Sequence, residues 1–141
     1  MSEREILFRG QTRRKGEKVR ISGEPVDSNW VYGGIFPGEG DFSIIYQTKP
    51  KIEKFTVYSD TVGQFTGLTD KNGTRIFEGD IVRCKDTLHE VIFCKISGCA
   101  FFGITMPDRG EIWNFDGITR ADRMEVIGNI HDNPELLKGD V

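Results

Sequence analysis

A mainly β fold is predicted for this chain of 141 residues, on three observations. Short runs of β-branched and aromatic residues alternate with turn clusters, prolines and glycines recur throughout, and no long segment keeps a helical period. The runs place strands over residues 5–9, 29–36, 42–47, 55–58, 62–66, 81–85, 90–96, 100–105 and 123–130.

The joints between these runs have identifiable chemistry. In Asp70-Lys71-Asn72-Gly73 the aspartate can accept backbone N–H bonds while Asn and Gly tolerate positive φ, so a tight reversal is expected. Gly79-Asp80 supplies a second corner just before Ile81-Val82-Arg83-Cys84. Asp86 to His89 is short enough to be a hairpin loop, and Ser97-Gly98 is the next expected reversal. A meander of three antiparallel strands over about residues 80–105 follows. Near the end, Asn133 precedes Pro134 as an N-cap precedes an N1 proline, with Glu135 in the first turn. A short helical turn over 134–138 is expected there, with Leu136 and Leu137 tucked against the rest of the fold. Residues 11–28 and 106–120 carry no clear pattern. The second stretch holds Trp113 and Phe115, which either complete the core or offer aromatic contact area on an ordered surface loop.

The length suits one domain with its own core. A hydrophobic share of 37%, 29% charged residues and 17 glycines describe a turn-rich globular chain with too many aromatics for disorder. No window reaches the run of about 18 apolar residues that a membrane-spanning helix needs, and MSEREILFRG has charges where a signal peptide needs an apolar stretch. A cytoplasmic location without a membrane partner is expected. Cys84, Cys94 and Cys99 form no C-x-x-C pair and read as thiols in small core or strand positions.

The formal charge of −3 is unevenly spread: residues 1–20 hold seven Lys/Arg against three Glu. The run Arg13, Arg14, Lys15, Lys18, Arg20 is either a contact for nucleic acid or an acidic partner, or a solvated loop.

Motifs of catalysis are mostly missing. Residues 66–82, TGLTDKNGTRIFEGDIV, contain neither G-x-G-x-x-G nor a P-loop, and no helix is predicted to follow them. Glu78 and Asp80 would share one face of an extended strand, as an acid/base pair or a weak divalent-ion contact, but Gly79 at a corner breaks that geometry. Asp80 reads better as a turn cap. His89 and His131 sit beside predicted turns without a local Cys/His partner, and no serine lies in a nucleophile elbow. No catalytic residue, metal ligand or cofactor is assigned.

Four blocks in order, REILFRG at 4–10, WVYGG at 30–34, VGQFTGLTDKNGTRIFEGDIV at 62–82 and EVIGNIHDNPELL at 125–137, resemble the YopX family, small proteins of bacteriophages and prophages without a defined biochemical function. The resemblance runs nearly end to end and departs mainly at 11–28 and 108–122. It implies a single YopX-like domain, with an N-terminal β lobe over about 1–66 and an SH3-like, barrel-type half over about 67–141, in a bacterial host. It brings no activity.

Three functions are weighed. The first is a non-enzymatic binding or assembly protein that self-associates and meets a phage or host protein, through a candidate surface of Gln64, Asp70, Glu78, Asp80, Trp113 and Phe115. The second is a nucleic-acid-binding module using the N-terminal basic run, against which a pI near 5.4 argues. The third is an enzyme assembled from the distant carboxylates Glu78, Asp80, Glu125 and Asp132. In the reading preferred for residues 66–82, the stretch is a folding element: Gly67 and Gly73 serve turns, Asp70 and Asp80 satisfy turn N–H groups, and Ile76, Phe77, Ile81 and Val82 supply core contacts.

Overall fold

A computed structural model of the chain describes residues 7–23, 29–36, 38–48, 50–84, 86–96, 99–106, 111–114 and 123–137. The fold is mainly β, with antiparallel pairing throughout, and divides into two compact units, Met1–Phe65 and Thr66–Val141. No helix among the described residues is long and apolar enough to cross a membrane.

In the first unit, β1 (Phe8–Gln11), β2 (Trp30–Phe36), β3 (Phe42–Gln47), β4 (Glu53–Tyr58) and the start of β5 (Gly63–Thr69) pair in the order β4-β3-β2-β1-β5. The expected strand at 42–47 is β3 to the residue, whereas β1 lies a few residues later than expected and β4 starts two earlier. Side chains alternate across a strand, and the register puts Ile45 opposite Phe55 and Ser43 opposite Val57 on one face. Ile45 and Val57 are fully buried there. Each such burial is worth about 1.5–3 kcal/mol.

The sheet curls over this face. Strands β1 and β4 are three places apart in the order, yet a Cβ built on Gly10 would lie 2.8 Å from the Val57 side chain. Only a residue without a side chain lets the strands approach so closely. The Thr61 hydroxyl fastens the curl: it accepts the Gln11 N–H at 2.9 Å and donates to the Tyr58 carbonyl at 2.6 Å, from the 3-10 turn Ser59–Thr61 that follows β4. The segment after β1 is an ordered return, with Thr12 N–H on the Asn29 carbonyl and Ile21 N–H on the Thr12 carbonyl.

In the second unit, the later residues of β5 lie beside β6 (Arg75–Phe77), and the sheet order is β10-β9-β8-β7-β11. The strands are β7 (Asp80–Cys84), β8 (Thr87–Ile96), β9 (Cys99–Met106), β10 (Glu111–Asn114) and β11 (Glu125–Asn129). The expected meander is present as β7, β8 and β9, and β11 returns to pair with β7 around a bulge between Val126 and Gly128. Ile76, Val82, Val91, Ile104 and Met124 form the core, with Leu68, Cys84 and Val126 packed against it. A free thiol at Cys84 fits the small, half-buried strand residue expected.

Some expectations need correction. Strands β6 and β10 were not expected, because three residues of β6 and four of β10 carry too little periodicity to register. Residues 87–89 open β8 and are not part of a loop. The described strands of the second sheet end in two edges, β10 and β11, and do not close the SH3-like barrel that the resemblance implies. Pro134–Leu137 is a single 3-10 turn, and the Asn133 side-chain oxygen bonds back to the Asn129 N–H. The Ser97-Gly98 reversal lies outside the described residues.

Gly10→Ala is expected to force its methyl into Val57 and cost about 1–3 kcal/mol of unfolding free energy, measured by urea denaturation. A loss below about 0.5 kcal/mol would mean that the two strands do not meet as described.

Candidate functional site

Two carboxylates of residues 66–82, those of Asp70 and Asp80, turn inward. Asp70 is only 5% exposed. Its Oδ1 accepts the N–H groups of Asn72 at 2.8 Å and Thr74 at 2.9 Å, and its Oδ2 accepts that of Val126, 56 residues away, at 2.9 Å. The Lys71 N–H adds a bond to the Met124 carbonyl, so the turn is tied to the entry of β11 twice. Gly73 takes the positive φ of 82° that this reversal needs. Burial pushes the Asp70 carboxyl up, but the N–H groups of Val126, Thr74 and Asn72, with the Lys71 charge, outweigh it and hold the carboxyl below its ordinary value.

Asp80, 2% exposed, accepts the Phe77 N–H at 2.8 Å across the corner. Gly79 at φ 92° sends its N–H to the Val91 carbonyl and receives the Ile130 N–H. Both aspartates therefore satisfy turn backbone, as the folding-element reading expects. The candidate surface of Gln64, Asp70, Glu78 and Asp80 is corrected on this point: two of its four groups are buried and bonded to backbone, and Gln64 sits on β5 in the first unit, opposite Phe8. Trp113 lies on β10 opposite Ile104. Phe115 is outside the described residues.

Each of the four distant carboxylates has a neighbour of its own, the Phe77 N–H in the case of Asp80. Glu125 pairs with Arg83 and, at 4.0 Å, with Lys71, while Asp132 accepts from the Asn129 amide. Glu78 does act electrostatically on Glu90. Burial, and then the Glu78 charge, push the Glu90 carboxyl up. Among the described residues no group of three or more His, Cys, Asp and Glu could hold a metal ion.

His89, expected beside a turn, is a buried residue of β8 at 3% exposure. One ring nitrogen, Nδ1, lies 2.7 Å from the Thr105 carbonyl, which can only accept, so Nδ1 carries the hydrogen. The other, Nε2, meets the Thr87 hydroxyl at 2.8 Å. The ring thus joins β8 to β9 inside the second unit.

The N-terminal basic run is largely engaged at home. The Arg13 guanidinium donates to the Glu17 carbonyl at 2.6 Å, and Arg14 forms a fork on Asp60 at 3.2 and 3.3 Å while lying 4.0 Å over the Tyr58 ring. Arg20 lies 5.4 Å over Phe55. Burial, then the hydrogen bond and charge of Glu17, push the Tyr58 phenol up, with Arg14 opposing. Lys15 and Lys18 are exposed. The Arg14 and Asp60 side chains are about half exposed, so the pair contributes little to stability. It nevertheless offsets one cation of the run.

The surface that sequence reasoning missed lies on the outer face of β2, β3 and β4. Alternation and register collect Tyr32, Gly34 and Phe36 from β2, Phe42, Ile44 and Tyr46 from β3, and Lys54, Thr56 and Tyr58 from β4. Phe36 is 55% exposed, Tyr32 44% and Phe42 40%. Phe36 and Tyr46 stand 5.2 Å apart and Phe42 and Tyr58 5.8 Å, both pairs tilted. A Cβ on Gly34 would come within 2.3 Å of the Tyr46 ring, so the glycine makes the space over which that ring lies. The signal was present in YGGIF and FSIIYQ, where two aromatic residues stand four apart and so share one face of a strand.

A family model described as YopX protein matches residues 38–138. No curated protein matches the chain. A crystal structure of protein EF1440 from Enterococcus faecalis is similar at 24% identity and a TM-score of 0.46, covering 96% of this chain and 99% of that one.

Asp70→Asn leaves the Val126 N–H facing an amide and is expected to cost about 1–3 kcal/mol. Since the folded carboxyl is held low, its stabilisation is fully present above the unfolded value of about 3.8 and is lost as pH falls through the lower folded value. Wild type should therefore lose stability in acid by an amount that Asp70→Asn lacks; parallel stability curves would contradict the assignment. In a carboxyl NMR titration, Glu78→Gln is expected to move the Glu90 midpoint down, and an unmoved midpoint would remove the proposed coupling.

Proposed function

From its membership of the YopX family, to which this chain belongs, we propose that the protein is a non-enzymatic binding and assembly protein whose contact surface is the outer aromatic face of β2, β3 and β4. The observation that carries this reading is the exposure of Phe36, Tyr32 and Phe42 on one sheet face. Large rings held in place by strand pairing lose little conformational freedom on contact, and aromatic residues are enriched where partners meet. The inward bonding of Asp70 and Asp80 supports the reading from the other side, since those carboxylates serve the backbone and not a reacting substrate. A role as a phage or prophage accessory protein in the bacterial cytoplasm fits the family resemblance, as does contact with a phage or host protein.

A protein occupant is favoured over nucleic acid. Binding to phosphate backbone draws on clustered Lys and Arg, whereas here Arg14 is forked onto Asp60 and the chain carries a formal charge of −3.

The test is a low-salt pull-down with two differently tagged copies of the chain in bacterial lysate, comparing wild type with the double variant Phe36→Ser/Phe42→Ser. Because both rings are exposed, the variant should fold, which circular dichroism checks. A stoichiometric protein, whether the second copy or another chain, is expected with wild type and should fall by more than about tenfold in the variant. Identical eluates would overturn the proposal, as would salt-sensitive nucleic acid in place of protein.

A further inference from the structure

We infer that the occupant of the aromatic face is a second copy of this chain, placed by a two-fold axis that lies in the contact plane and perpendicular to the strands, so that the two aromatic faces meet and the strands of the two copies run antiparallel. The inference rests on the contact-surface reading above and adds the partner and its orientation.

The face is polarised along its strands. Strand β2 runs toward the turn at 38–41 and β3 runs away from it, so Phe36 and Phe42 flank the turn. The turn carries two exposed carboxylates, Glu39 and Asp41. At the opposite end stand the exposed ammonium groups of Lys51 and Lys54, the latter in register with Tyr46. Glu53 lies 3.9 Å from Lys51, but with the lysine side chain 75% exposed this pair leaves the end available to a stronger partner. The rings of Phe36 and Phe42 stand next to the turn, Ile44 and Thr56 lie between, and the Tyr46 ring stands next to Lys54. One molecule therefore presents acid beside Phe36 and Phe42 at one end and base beside Tyr46 at the other.

A two-fold axis in the contact plane, perpendicular to the strands, turns the two faces toward each other and reverses strand direction, so the acidic turn of each copy lies on the lysine end of the other. The contact is isologous and closes at two copies. Parallel stacking would instead set like charge on like charge, which is costly at an interface. The acidic turn also repels a phosphate backbone from the end nearest Phe36 and Phe42.

The area sets the strength. Three strands spaced about 4.8 Å apart and six residues long at about 3.4 Å each span roughly 15 by 20 Å. That is below the about 800 Å² per partner of a standard stable interface. A reversible, salt-sensitive dimer is the expectation, with a monomer prevailing at low concentration.

Sedimentation of the purified full chain across a wide concentration range tests this. A monomer–dimer equilibrium is expected, weakening as ionic strength rises from about 0.05 to 0.5 M. Glu39→Lys/Asp41→Lys and, separately, Lys51→Glu/Lys54→Glu should each weaken self-association by at least about tenfold. Mixing the two variants should restore a dimer containing one of each. A chain that stays monomeric at every concentration overturns the inference, as does undiminished dimerisation of either charge variant or failure of the mixture to recover. A monomer that still captures another protein through Phe36 and Phe42 would sink the two-fold dimer and leave the contact surface standing. One that captures nothing would sink both.

Discussion

The second unit depends on a single carboxylate. Asp70 gathers three N–H groups, two from its own turn and one from β11, and so ties a local reversal to a strand 56 residues away. Buried N–H groups without acceptors are costly, and a charged acceptor bonds them more strongly than a neutral one. With Asp70 in place, the Val126 backbone is held beside the turn and the bulge between Val126 and Gly128 has a defined start. The return strand can then pair with β7 and cover Val82 and Ile76, around which the core forms. Asp80 repeats the device at shorter range: its carboxylate accepts the Phe77 N–H, and the Gly79 backbone joins the same corner to Val91 of β8 and to Ile130 just after β11.

This arrangement separates folding chemistry from contact chemistry. In the second unit the conspicuous polar residues, Asp70, Asp80 and His89, are all at most 5% exposed and all bonded within the unit. In the first unit the order is inverted: the concave face takes Ile45 and Val57, while Phe36, Tyr32 and Phe42 remain outside on the convex one. That exposed face is the contact surface proposed above.

How far the sequence could be read follows from where each signal sits. Strand β3 was legible to the residue because its apolar run is bounded by glycines before it and by a proline after it. The roles of Asp70 and Asp80 were legible because Asp, Asn and Gly at those spacings have few other uses. The second acceptor role of Asp70, toward Val126, was not, since nothing local encodes a partner 56 residues on. His89 was misplaced because Thr87 and Leu88 look like turn flanks until β9 supplies the Thr105 carbonyl. The aromatic face was overlooked for a different reason. Each strand shows alternation by itself, but which alternate face is covered depends on the curl permitted by Gly10, and that is a tertiary property. The basic run was visible as charge, whereas its engagement by Glu17, Asp60 and two aromatic rings is not written in its own residues.

The most direct measurement is native-state amide hydrogen exchange by NMR, read at Asn72, Thr74 and Val126. If one carboxylate holds the turn and the return strand together, these three amides open only with the second unit as a whole and exchange with the same free energy as the core amide of Val91. Exchange of Val126 at the rate of an exposed loop, with Val91 still protected, would show that the core stands without the Asp70 link and would contradict the account.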